Sequence, residues 1–204
     1  GETPALRPMK TTLIDSPVAN VANIARALRV AGAELEVTRD ADIIANAPKL
    51  VLPGVGSFVA AMRWLTENRI DDAIHQAVNR GAALLGICVG HQLLFDRSLE
   101  MGTTPGLGLV RGEVRPYDGI LPVPQIGWNR IAARGPLFDG VENGVFYFVN
   151  SYAAVDAPDE IARADYGGPF TAAVQHQRVF GVQFHPEKSS AAGLRVLRNY
   201  IAWT

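Results

Sequence analysis

The sequence predicts an α/β architecture: an open, mainly parallel sheet with helices on both faces, continued by an antiparallel extension. Three observations carry this. Up to about residue 92, strand-like apolar runs alternate with segments whose apolar residues recur at i, i+3, i+4 and i+7. The run Ala82-Ala83-Leu84-Leu85 leads into Gly86-Ile87-Cys88-Val89-Gly90-His91-Gln92, a strand-to-helix turn with glycines on both sides of one apex residue. From about residue 107 to 184 the pattern changes to short strands between Gly-, Pro- and Asp-rich turns, which implies antiparallel pairing.

Taken in order, Thr11-Thr12-Leu13-Ile14 reads as the first strand. Val21, Ile24, Ala25 and Leu28 then form a helical stripe stopped by Gly32. Glu34-Leu35-Glu36-Val37 alternates as a second strand. A third, over 49–52, leads to a helix beginning near Ser57 with Phe58, Ala61, Met62 and Leu65 on one face. A helix over 70–80 ends at Gly81, and a strand over 82–87 carries the elbow, with Leu93-Leu94-Phe95 continuing the helix that follows it. Leu194, Leu197 and Ile201 mark a closing helix. No repeat or linker divides the 204 residues, so one domain is expected, with residues 1–10 a loose extension and Met9 a natural start.

The only cysteine, Cys88, sits at the apex of the elbow, where a strained turn points its side chain at a cleft. An arbitrary free cysteine packs as a small hydrophobe; the flanking glycines argue for a nucleophile. The N-terminus of a following helix would favour thiolate and lower the pKa from about 8.5. A thiolate needs a base, and the chain offers His75, His91, His176 and His185. In Phe184-His185-Pro186-Glu187, Pro186 biases His185 toward an extended conformation, so Glu187 at i+2 can reach the imidazole and orient it. His91 is the rival, three residues after Cys88 but without an acidic partner. His75 falls on the wet side of its helix, and His176 reads as a strand-end residue. The loop Leu52-Pro53-Gly54-Val55-Gly56-Ser57 can turn backbone N–H groups toward a developing oxyanion alongside the N–H of Val89, although such a segment is otherwise a plain turn.

A net charge of −1 gives no electrostatic reason to expect nucleic acid, and a single cysteine excludes an internal disulfide. No apolar run is long enough to span a bilayer, so no membrane association and a cytoplasmic location are expected.

Together these residues resemble the class I (triad) glutamine amidotransferases, whose fold is a flavodoxin-like open sheet. Pro53-Gly54-Val55-Gly56, Gly106-Leu107-Gly108-Leu109, Ile126-Gly127-Trp128-Asn129, Phe146-Tyr147-Phe148-Val149 with Ser151-Tyr152, and His185-Pro186-Glu187-Lys188-Ser189 are similar to the branch that supplies ammonia to imidazole glycerol phosphate synthases. The resemblance implies Cys88 as nucleophile, His185 as base and acid, Glu187 as its orienter, and an oxyanion hole from Val89 with Gly54, Val55 and Gly56. It implies a glutamine pocket of Gln92, Glu100, Tyr147, Ser151 and Tyr152 together with Gly56, with Glu100 suited to the ammonium of free glutamine. Tyr147 has an equal alternative as ordinary sheet packing. The implied partner is a separate cyclase subunit, met at Asn20 and Trp128, and neither metal nor organic cofactor is needed. Three places depart from the family pattern: Asn150 and Gln125 stand where histidines are usual, and the first loop, commonly Gly-rich after an Asp-Tyr, reads Asp15-Ser16-Pro17-Val18-Ala19-Asn20. Alternatives are an amidotransferase subunit of another synthase, for anthranilate or pyridoxal phosphate, and a non-catalytic regulatory subunit of the same fold.

Overall fold

The computed structural model describes residues 10–17, 19–117, 119 and 121–204. The expected extension over residues 1–10 therefore lies, except for Lys10, outside the described residues, as does Val18 of the first loop.

The first half builds strand-helix units in the expected order: β1 (Thr11–Ile14), α1 (Val21–Ala31), β2 (Leu35–Thr38), α2 (Ala41–Asn46), β3 (Lys49–Gly54), α3 (Phe58–Glu67), α4 (Ile70–Asn79), β4 (Ala83–Cys88) and α5 (Val89–Gln92). Three of the helix starts have a capping side chain. Asn20, Asp40 and Ser57 accept backbone N–H bonds as N-caps of α1, α2 and α3. Gly32, at φ 104°, supplies the left-handed residue that ends α1. The second half adds β5 (Phe95–Ser98), β6 (Thr104–Pro105), β7 (Val110–Pro116), β8 (Gln125–Arg130), β9 (Ala132–Ala133), β10 (Val145–Asn150), β11 (Tyr152–Ala154), β12 (Glu160–Asp165), β13 (Pro169–His176), β14 (Val179–Val182) and α6 (Ser190–Ala202).

The main sheet runs β2-β1-β3-β4-β14-β13-β11-β7-β5-β6, with β12 and β9 branching from β13. Its first five strands are parallel. Because the chain moves one way from β1 to β2 and then back across to β3 and β4, right-handed crossovers put α1 on one face and α2, α3 and α4 on the other. The packing agrees: α1 lies against α6, and α4 lies against α2 and α3. Strands buried on both faces need continuous apolar runs, and Leu13, Ile14, Leu50, Val51, Leu84, Leu85 and Ile87 are wholly buried. The buried Lys49 ammonium donates to the carbonyls of Tyr200, Ile201 and Trp203, fixing the end of α6 to the start of β3.

Four expectations change. Helix α2 was not legible, since its six residues are too few for a clear stripe. The helix after the elbow is a single turn, and Phe95 begins a strand that pairs with β7. The run over 107–184 is not wholly antiparallel: β14 returns to the centre of the sheet, parallel to β4, with Val182 beside Ile87. Finally, β3 runs through Pro53 to Gly54, which pairs with Cys88, so Gly54 belongs to the sheet and not to the loop.

Separately, β8 and β10 form a two-stranded antiparallel ribbon. Alternation along β10 sends Phe146 and Phe148 inward, where Phe146 stacks on Phe184 with centroids 4.1 Å apart. Tyr147 goes to the opposite side. This aromatic cluster anchors the residue immediately before His185.

Candidate active site

Cys88 ends β4 and enters α5 at φ 55° and ψ −110°, a conformation that a non-glycine residue holds only when its surroundings impose it. The surroundings do so by close packing. A Cβ on Gly90 would overlap the Leu52 carbonyl oxygen of β3, and one on Gly54 would lie 2.8 Å from the Gly90 nitrogen. Only glycine at both positions lets the elbow settle onto β3. The thiol is directed toward the Val149 carbonyl at 3.8 Å, and the Gln183 amide lies 4.0 Å from the sulfur.

His185 follows β14 and is fixed at both ends. Its backbone N–H donates to the Tyr147 carbonyl at 2.9 Å. Ser189 Oγ donates to the His185 carbonyl at 2.6 Å and accepts the Tyr147 N–H at 2.9 Å. The β8–β10 ribbon therefore holds the histidine in place. Glu187 Oε1 stands 2.8 Å from His185 Nδ1, as the i+2 geometry predicts, and both side chains are almost wholly buried. Burial alone would drive the imidazole toward its neutral form. Hydrogen bonds to Cys88 and Glu187, and the negative charge on each, outweigh it and raise the proton affinity well above that of an ordinary histidine. The arrangement favours the charged imidazolium of His185. Because α5 is one turn long, the helix macrodipole expected beside the thiol contributes little, and the cation that faces the sulfur is His185.

The rival His91 is fully buried, with both ring nitrogens unpartnered, and its ring packs edge-on against Phe95 at 5.1 Å. Burial pushes its pKa down to about 3, so it is a neutral core residue. His75 is half-buried on α4, and His176 ends β13 with Nδ1 3.2 Å from Asp159.

A cavity of about 550 Å³ opens over the thiol. It is lined by Cys88, Val89 and His185 together with Val55, Gly56, Gln92, Glu100, Ser151, Tyr152 and Asn20. Three expected residues stand apart. Gly54 packs beneath the elbow within the sheet and does not line the cavity. Tyr147 does not line it either: alternation turns its ring against Trp128, 5.7 Å away, with the Lys188 ammonium 5.9 Å from its centroid. Trp128 lies outside the cavity on β8, about half exposed, near the still more exposed Ile126. Asn20 caps α1 and lines the cavity.

Gln92 donates to the Tyr152 carbonyl at 2.9 Å and to Gln183 Oε1 at 3.0 Å. Glu100 accepts the Phe58 N–H at 2.9 Å, tying the cavity wall to the start of α3. Sequence reasoning missed Gln183, although alternation from His185 puts it on the same side of the extended chain. It also missed Tyr117, whose hydroxyl accepts from Asn150 Nδ2 at 2.7 Å and donates to Gln125 Oε1 at 3.1 Å. Asn150 and Gln125, two of the three departures from the family pattern, are thus register partners bridged by one phenol. Among the described residues no cluster of three or more His, Cys, Asp or Glu is arranged to hold a metal ion. Among them, too, no helix is long and apolar enough to cross a membrane.

Residues 12–202 match the family described as glutamine amidotransferase class-I. The chain is 45% identical over 206 residues to the imidazole glycerol phosphate synthase subunit HisH of Caulobacter vibrioides, an alignment covering 94% of this chain and 97% of that one. It is 44% identical to the HisH subunit of Geobacillus thermodenitrificans, covering 93% of each. A solved glutamine amidotransferase superposes with a TM-score of 0.75 over 94% of this chain and 98% of its own, at 19% identity, which speaks to the fold. With a strained cysteine facing a buried histidine–glutamate pair, and a family match from β1 to α6, the chain belongs to the class I glutamine amidotransferases.

Proposed function

We propose that this chain is the glutaminase subunit of an imidazole glycerol phosphate synthase, hydrolysing glutamine and delivering ammonia to a cyclase subunit in histidine biosynthesis. The observation that carries the chemistry is the convergence of Cys88, His185 and Glu187 at one end of the cavity. Near-full-length identity to proteins named as HisH supports the pathway.

In this reading the Cys88 thiolate attacks the side-chain carboxamide carbon of glutamine. N–H groups of Val89 and of the Val55–Gly56 segment stabilise the oxyanion. His185, held by Glu187, gives its proton to the leaving nitrogen, and ammonia departs from a γ-glutamyl thioester. Water then attacks the thioester with His185 taking its proton, and glutamate and free thiol result. Glu100, Gln92 and the 151–152 segment hold the amino-acid end of the substrate. Tyr147, turned away from the cavity, acts in the wall behind His185 through its backbone.

The cyclase docks over the cavity that Asn20, Pro124 and Lys188 line and on the exposed apolar residues Ile126 and Trp128 of β8. The chain acts in the cytoplasm as a single domain. The deciding measurement is glutamate release by the purified chain, alone and with the cyclase and its nucleotide substrate. Turnover is expected to rise at least about a hundredfold in the complex, the size of one oxyanion donor brought into place. Equal turnover in both conditions would mean that the site is already assembled without its partner.

A further inference from the structure

The segment joining β10 to β11, residues 150–152, forms one wall of the cavity, and its hydrogen bonds lead away from the site into a buried chain of amides. The Asn150 carboxamide spends both N–H groups, one on the Tyr152 carbonyl at 2.9 Å and one on Tyr117 Oη at 2.7 Å. The Tyr117 hydroxyl donates to Gln125 Oε1, and its backbone N–H reaches the Ser151 carbonyl at 3.4 Å. The Tyr152 carbonyl also receives Gln92 from the elbow turn. Asn150 Oδ1 is left buried without a partner. Exchanging the oxygen and nitrogen of this amide would set Oδ1 against the Tyr152 carbonyl, two acceptors facing each other, so the bonds through Nδ2 fix its orientation. A buried acceptor left unpaired costs stability, which argues that this arrangement is kept for the wall it holds and not for the fold.

We infer that Tyr117 and Gln125 are positioning residues for substrate: through Asn150 they fix the 151–152 backbone against which the amino-acid end of glutamine is bound. The assignment rests on the glutaminase reading above. Neither side chain lines the cavity. Tyr117 clamps the carboxamide that ties β10 to β11, and Gln125 holds the Tyr117 hydroxyl in turn, from the strand whose outer face carries Ile126 and Trp128.

Tyr117→Phe removes the hydroxyl and keeps the ring packed against Tyr166 and Phe170. The assay is steady-state glutamate release by the complex with its cyclase, together with thermal unfolding. KM for glutamine is expected to rise about tenfold, the effect of one hydrogen bond, with kcat within about twofold; the melting temperature should fall by a few degrees, because Asn150 Nδ2 and Gln125 Oε1 each lose a buried partner. Asn150→Ala should raise KM similarly, and the double variant should be no worse than Asn150→Ala alone, because both changes break the same clamp. An unchanged KM in Tyr117→Phe, a loss confined to kcat, or fully additive effects would overturn the inference. If the unmodified complex binds no glutamine by calorimetry and releases no glutamate, the glutaminase reading falls and this one with it. If the unmodified complex is active and only the variant results disagree, the positioning role alone is lost.

Discussion

The carboxylate of Glu100 accepts the backbone N–H of Phe58 at 2.9 Å, joining the residue expected to hold the substrate ammonium to the first turn of the helix that follows the Val55–Gly56 segment. One side chain thus serves the pocket and the loop beside it. Glu100→Gln keeps an acceptor for Phe58 but removes the charge. It should raise KM for glutamine about tenfold or more with little change in melting temperature. Glu100→Ala also orphans the Phe58 N–H and should unfold at a lower temperature. Equal melting temperatures for the two variants would show that the bond to α3 has no structural weight.

Glu187 and Cys88 both raise the proton affinity of His185 against the opposing effect of burial. In Glu187→Gln one of the two is lost, so the alkaline limb of the pH–kcat profile should move to lower pH. Turnover should drop by at least about a hundredfold, because the imidazole also loses its orienting partner. The sign carries over to stability. A histidine whose pKa is raised on folding contributes stability that is fully present below its unfolded value of about 6.5 and is lost as pH rises through the folded value. Denaturant titrations should show that loss in the unmodified chain and a smaller one in Glu187→Gln. Superimposable pH profiles would mean that another group sets the charge of His185.

The backbone at Cys88, with φ 55°, leads to a third expectation. Cys88→Gly and Cys88→Ala should both abolish glutamine hydrolysis and adduct formation with a glutamine-analogue electrophile. The glycine variant should be the more stable of the two by about 1 kcal/mol in urea unfolding, since glycine occupies positive φ without the Cβ penalty. The opposite order would show that the elbow carries no strain.

What the sequence determined by itself is local. Elements whose periodicity extends over ten or more residues, such as α1, α3 and α4, were legible, because a buried stripe leaves its spacing in the chain. The elbow was legible because glycines on both sides of a lone cysteine have few other uses, and the His185–Glu187 contact because two residues of extended chain suffice to make it. Tertiary structure decided what depends on distant segments. The short helix α2, and the parallel placement of β14 beside β4, follow from packing partners that no local window contains. The side to which Tyr147 turns was decided by register with β8, which sends Phe146 and Phe148 into the aromatic cluster and Tyr147 against Trp128. The commitment of Gly54 to the sheet, and the bridge from Gln125 through Tyr117 to Asn150, exist only once remote strands meet, because hydrogen-bond register and close approach belong to pairs of segments and not to either one alone.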